Sequence, residues 1–116
     1  MTNADLVAEF HRAVGDDTPQ GPEVPGLATL DLRESLINEE CREVGQEFGR
    51  LRERLAGAPP VSIDALAPLA HELADLLYVT YGTFVALGLP ADAIFEQVHR
   101  ANLAKSAVRG GLTVSN

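Results

Sequence analysis

A chain of 116 residues with 46% hydrophobic side chains is one domain's worth and too apolar to remain disordered. Its net charge of -8 excludes the basic surface that a nucleic-acid backbone requires, and no stretch approaches the roughly 20 apolar residues of a membrane span. Asp5 and Glu9 stand where an export signal has basic residues, and the single cysteine, Cys41, forbids an intramolecular disulfide and suits a reducing cytoplasm.

In chain order, Leu6, Phe10 and Val14 recur at four-residue spacing, which predicts a short amphipathic helix over 3–14 with Asn3 as N-cap. Gly15 ends it. Residues 15–27 hold three prolines and three glycines and predict a long loop. From about Thr29 to Leu55, the residues Ile37, Cys41, Val44, Phe48, Leu51 and Leu55 form a heptad-like apolar seam. Glu40, Glu43 and Glu47 lie on one flank of that seam, with Glu39 a little further round. On this reading Cys41 is a core residue. Gly57-Ala58-Pro59-Pro60 stops the helix.

Ser62 caps the next helical segment, and Pro68 predicts a break there, with the main helix restarting at Pro68 or Leu69. The restarted segment, with Leu69, Leu73, Leu76, Leu77, Thr80, Phe84 and Leu87, is apolar nearly all round and is expected to be the central helix. Gly88 suits its C′ position. Pro90 and Asp92 open a last helix that is expected to fade near Lys105, leaving residues 106–116 as a loose tail. The expected fold is all-α in a single domain over 1–116: one short N-terminal helix and three longer ones.

Two acidic motifs stand out. Glu40/Glu43 and Glu72/Asp75 are i,i+3 pairs, and Glu39/Glu43 is an i,i+4 pair, so each set shares a helix face. Antiparallel packing of the two helices brings four or five negative charges together beside an apolar core, and hard divalent cations relieve such repulsion. Three glutamates in five residues are also ordinary solvated surface. Glu72 and Asp75 are harder to read that way, because their segment is otherwise apolar and no Lys or Arg occurs between Arg54 and Arg100. A distant arginine pairing with them is the remaining alternative. Asn102 and Lys105 are a further i,i+3 pair, read either as helix-end charge compensation or as ligand contacts. Tyr78 and Tyr81 read as packing or as the wall of a pocket.

Glu39-Glu40-x-x-Glu43 followed by Glu72-x-x-Asp75 resembles the signature of the all-α nucleoside triphosphate pyrophosphatases: MazG-like proteins, dimeric dUTPases and phosphoribosyl-ATP pyrophosphohydrolases. His71 to Gly82 is similar to the central helix of that superfamily, and Val98 to Lys105 to its closing motif; the likeness covers about residues 5–106. The resemblance implies a MazG-like helical bundle completed by dimerisation, as a homodimer or a dimer of dimers. It implies cleavage between the α- and β-phosphates of a nucleoside triphosphate, with dUTP the favoured substrate, in nucleotide-pool sanitation. Glu40, Glu43, Glu72 and Asp75 would hold Mg²⁺ (or Mn²⁺), two or more ions per site. Glu39 would bind a second ion or orient the attacking water. Asn102, Lys105 and Tyr78 would contact substrate, and the 15–27 loop with the first helix would shape the pocket for the base. Relatives often continue past the lysine with a Gly/Lys/Pro-rich segment, which is short here. A nucleotide- or protein-binding helical dimer without catalysis is therefore the alternative. A di-iron reading of Glu96-x-x-His99 lacks the second such pair that those sites use.

Overall fold

Four helices carry the chain: α1 (Asn3–Ala13), α2 (Leu27–Ala56), α3 (Ala67–Ala86) and α4 (Ala91–Leu112), with one turn of 3-10 helix at Ile63–Leu66 leading into α3. The computed structural model describes residues 1–58 and 60–112, and among them there is no strand. The expected all-α class, one short helix and three longer ones, is what forms. No single helix among the described residues is long and apolar enough to cross a membrane.

Each boundary has a local cause. Thr2, not Asn3, is the N-cap of α1. Its hydroxyl accepts from the Asp5 N–H at 3.1 Å, and the Asp5 carboxylate accepts from the Thr2 N–H at 2.9 Å. This reciprocal capping box outcompetes Asn3, which becomes the first helical residue. At the other end Gly15 takes φ +83°. The Gly15 N–H donates to Arg12 O (3.1 Å) and the Asp16 N–H to His11 O (2.9 Å), a Schellman motif that places Asp16 over the last turn. The end of α3 repeats this device. Gly88 (φ +66°) donates to Val85 O at 3.1 Å and Leu89 to Phe84 O at 2.9 Å. Ser62 caps the 3-10 turn through the Asp64 N–H, and Pro68 sits in the first turn of α3, where its missing N–H is harmless. α4 runs past Lys105 to Leu112, so part of the stretch expected as a loose tail is helical. Leu103, Ala104 and Lys105 are strong helix formers, and nothing there breaks the turn. Residues 113–116, the rest of that tail, lie outside the described residues.

α3 is the central helix, as its composition predicts: α2 and α1 both pack on it. α2 and α3 run antiparallel, because Arg33 meets Val79 and Thr83 while Glu40 meets Glu72 and Asp75. The buried stripe of α2 is rotated from the expected seam. Val44 and Glu47 are buried and Glu40 and Glu43 half-buried, whereas Cys41 and Phe48 are exposed. The acidic flank therefore faces α3, and Cys41 is not a core residue of the protomer. α4 leaves α3 at a 115° bend and is exposed from Phe95 through Ser106. Only Val7, Val44 and Ala91 are buried hydrophobic residues among those described. The radius of gyration is 18.1 Å, against about 13 Å for a compact domain of this length.

The loop between α1 and α2 is tied to the end of α3, where the Glu23 N–H donates to Leu87 O at 3.0 Å. The Gly21 backbone approaches Gly88 so closely that a Cβ on Gly88 would collide with Gly21 O. Gly88→Ala is expected to cost about 1–3 kcal/mol from the left-handed backbone alone, with the clash added. Thermal denaturation checks this, and an unchanged melting temperature would contradict the account of this junction.

Candidate metal centre

Glu40 and Glu43 stand one turn apart on α2, and Glu72 and Asp75 one turn apart on α3. The antiparallel seam turns the two pairs toward each other. One carboxylate oxygen from each of the four lies within 4.8 Å of the other three, and all four residues are half-buried. Glu40 Oε2 and Glu72 Oε2 are shut off from solvent with no hydrogen-bond partner. No arginine or lysine pairs with any of the four among the described residues, so the distant-arginine alternative fails. Among the described residues the one basic group paired with them is the exposed His71, with Nε2 3.3 Å from Asp75 Oδ2. One turn beyond Glu43 the contrast is plain: Glu47 is buried as well, but Arg50 pairs with it.

The energetic consequence falls on Glu40. Burial first, then the adjacent Glu43 carboxyl, then the charges of Asp75 and Glu72 push its carboxyl up from 4.5 to about 7. Glu72 is raised for the same reasons, burial first, then Glu43 and Asp75, with His71 pulling the other way. Orphaned carboxylate oxygens, hard donors and excess negative charge fit a hard divalent cation such as Mg²⁺ or Mn²⁺, which needs oxygen ligands.

Glu39 lies on the exposed side of α2, outside the four-oxygen group. Tyr78 sits one turn past Asp75, with its ring edge-to-face on Phe10 at 5.8 Å. Asn102 and Lys105 lie on the exposed length of α4 and are not brought to the carboxylates within one protomer. Glu96 and His99 share that exposed surface, and Glu96 pairs with Arg100.

A second polar group, not singled out from the sequence, lies further along the α2–α3 seam. Arg33 donates from Nε to Thr83 Oγ1 (3.1 Å) and from Nη2 to Val79 O (2.8 Å), with no carboxylate partner among the described residues. Gly82 lets it in, since a Cβ there would lie 2.5 Å from Arg33 Nη2 and 3.1 Å from His11 Nε2. His11 is 6% exposed, with Nδ1 3.9 Å from Asp16 Oδ2. Burial first, then the Arg33 charge, lowers its pKa, against the pull of Asp16. A polar residue inside an otherwise apolar stripe, as at Arg33, was the available signal.

Because folded Glu40 holds its proton more tightly than the unfolded chain does, the folded state binds more protons between 4.5 and about 7. Metal-free protein is therefore expected to lose melting temperature as pH rises from about 5 to about 8. Mg²⁺ or Mn²⁺ should restore it at the upper end. Differential scanning calorimetry with and without cation reads both, and indifference to cation at high pH would contradict the metal centre.

No curated protein matches the chain significantly. The profile of the phosphoribosyl-ATP pyrophosphohydrolase (PRA-PH) family matches residues 7–102, a span that runs from the middle of α1 through the loop and both carboxylate pairs into the first half of α4. With four helices, no strand among the described residues and this match over most of its length, the chain belongs to the phosphoribosyl-ATP pyrophosphohydrolase family of the MazG-like all-helical pyrophosphatases.

Proposed function

We propose that the protein is a divalent-metal-dependent nucleotide pyrophosphohydrolase that cleaves between the α- and β-phosphates. Its products are a nucleoside monophosphate and pyrophosphate. The observation that carries this reading is the group of four residues that each bring a carboxylate oxygen within 4.8 Å of the others, with Glu40 Oε2 and Glu72 Oε2 buried and partnerless and no Arg or Lys paired with the four among the described residues. dUTP is the favoured substrate, in keeping with nucleotide-pool sanitation. Phosphoribosyl-ATP, the substrate in the name of the matching family, is the second candidate.

Glu40, Glu43, Glu72 and Asp75 would hold one or more ions, two being the expected complement. Bound Mg²⁺ or Mn²⁺ supplies charge neutralisation at the phosphate oxygens and a lowered pKa for attacking water. The chain's own residues do the rest. The half-buried carboxylates would fix the position of the ions between α2 and α3, and only through the ions that of the phosphates. Glu39, exposed and outside the group, is free to orient the water and take its proton. The seclusion of Glu40 Oε2 and Glu72 Oε2 from solvent would strengthen their interaction with bound cations.

A homodimer or dimer of dimers completes the fold and the site. Leu6, Phe10, Phe48, Leu73, Leu77, Phe95 and Leu103 are all exposed in the protomer, more apolar surface than a monomer of this size normally shows. Burying α4 against a second copy covers these residues, and it is the route by which Asn102 and Lys105 reach the phosphates of a partner's site. The free thiol of Cys41 fits a reducing cytoplasm.

Pyrophosphate release from dUTP, other nucleoside triphosphates and phosphoribosyl-ATP, with Mg²⁺ or Mn²⁺, tests the activity. Glu40→Gln is expected to lower kcat roughly 100-fold or more while the helical content stays unchanged. Product from none of these substrates, or full activity in the variant, would overturn the reading. Light scattering is expected to give a dimer or tetramer. Mixing inactive Glu72→Gln with inactive Lys105→Ala should recover activity, because hybrid assemblies contain one intact site. A monomer, or no recovery, would contradict the shared site.

A further inference from the structure

The first helix holds to the rest of the molecule by two buried side chains, Val7 and His11. It packs on α3, where the Phe10 ring is set edge-to-face on Tyr78. A helix of 11 residues is not stable alone in water, so α1 stays helical only while it is docked. One of its two anchors is ionisable. The docking of α1 therefore rests in part on a group that can gain a charge.

The surroundings of His11 decide which state docks. Its ring enters the notch left by Gly82 on α3, where a Cβ would lie 3.1 Å from His11 Nε2 and 2.5 Å from Arg33 Nη2. Arg33 of α2 is fastened there, since Nε donates to Thr83 Oγ1 and Nη2 to Val79 O. A proton on His11 Nε2 therefore sets two cationic groups against one spot on α3. That stretch of α3 offers no counter-charge: no Asp, Glu, Lys or Arg occurs from Leu76 to Pro90, and Tyr78 and Tyr81 are its ionisable side chains. From the loop, Asp16 Oδ2 lies 3.9 Å from Nδ1 but is mostly exposed, so water screens its pull. Asp17 and Glu23 line the cavity that His11 borders. From α1 itself, Arg12 adds a positive charge next in sequence, while the helix C-terminus favours a charged ring. Burial first, then Arg33, outweighs the pull of Asp16 and lowers the His11 pKa from 6.5.

We propose that His11 is a proton-operated latch for α1: the neutral ring anchors the helix and the start of the loop in the Gly82 notch, and the protonated ring releases them. The latch needs none of the four carboxylates and stands apart from the proposed reaction. Because the folded-state pKa is the lower one, the neutral ring's contribution to docking is complete above 6.5 and is lost as pH falls through the folded value. Release takes Phe10 from Tyr78, which is one turn past Asp75, so it reaches the flank of the carboxylate centre. The far end of the loop is held separately, by the Glu23 N–H on Leu87 O and by Gly21 against Gly88, and stays in place.

Hydrogen–deuterium exchange of the full chain, corrected for the intrinsic rate at each pH, tests this alongside the His11 ring titration in NMR. Between about pH 7.5 and about pH 5, protection of the Val7–His11 amides is expected to fall about tenfold or more, in step with protonation of His11. The Glu23 amide and the Val79–Thr83 amides of α3 should keep their protection. His11→Gln is expected to make α1 protection independent of pH over that range. Arg33→Met should move the His11 titration upward and shrink the loss of α1 protection at least about twofold. Protonation of His11 with unchanged α1 protection would overturn the latch, as would a His11 ring that titrates at or above 6.5. An equal loss in His11→Gln or in Arg33→Met would overturn it as well. Should His11→Gln not fold, the wild-type and Arg33→Met measurements decide the question.

Discussion

Mutual repulsion across the α2–α3 seam is the constraint that orders this molecule. Two carboxylate pairs face each other with oxygens within 4.8 Å, and no arginine or lysine among the described residues pairs with them. In a purely structural helix pair such an arrangement is selected against, since each buried carboxylate must shed its charge or find a partner. The protein shows that it can supply a partner where only structure is at stake, because Glu47 one turn away has Arg50. At the four-carboxylate group it does not. The cost is concentrated on Glu40, whose carboxyl holds its proton up to about 7. A cation of charge two or more converts that cost into binding energy, so stability, metal affinity and pH are linked through one cluster.

The opposite end of the seam is built from the complementary choice. Arg33 is fastened to α3 by a carbonyl and a hydroxyl, with no carboxylate in ion-pair contact among the described residues. Between the two ends α3 presents a path with Asp75 at one end and Gly82 at the other. The Schellman turns at Gly15 and Gly88 hold the connecting loop over the second end: one sets Asp16 above His11, and the other receives the backbone of Gly21. The loop is thereby tied down despite its three prolines and three glycines. One helix pair thus carries concentrated negative charge at one end and a guanidinium at the other, two helical turns apart.

Much of this was legible in the sequence, for identifiable reasons. Local signals act within a turn or two of the chain, so the helices, the stop at Gly57, the cap at Ser62 and the C′ glycine at Gly88 could all be read directly, whereas the turn Ser62 caps is 3-10 and leads into α3 at Ala67. The pairing of Glu40/Glu43 with Glu72/Asp75 was readable because an i,i+3 spacing survives any packing arrangement. Rotation of α2 about its axis was not. The heptad seam placed Cys41 and Phe48 inside, whereas the acidic flank faces α3, because hydropathy counts every carboxylate as surface. The capping box at Thr2 was missed because Asn3 is an equally good cap on composition alone. Arg33 and His11 meet across Gly82 from two helices far apart in sequence, and no spacing rule records that encounter. The path of α4 was also invisible, since its residues read equally well as an inward face or as a surface awaiting a second copy.

The central claim is that Glu40, Glu43, Glu72 and Asp75 together hold a divalent cation. Anomalous diffraction from crystals grown with Mn²⁺ tests it most directly. The account predicts an anomalous peak among these four carboxylates, within bonding distance of the oxygens that are otherwise partnerless on Glu40 and Glu72. Well-occupied Mn²⁺ elsewhere in the crystal, with no peak at this group, would contradict it.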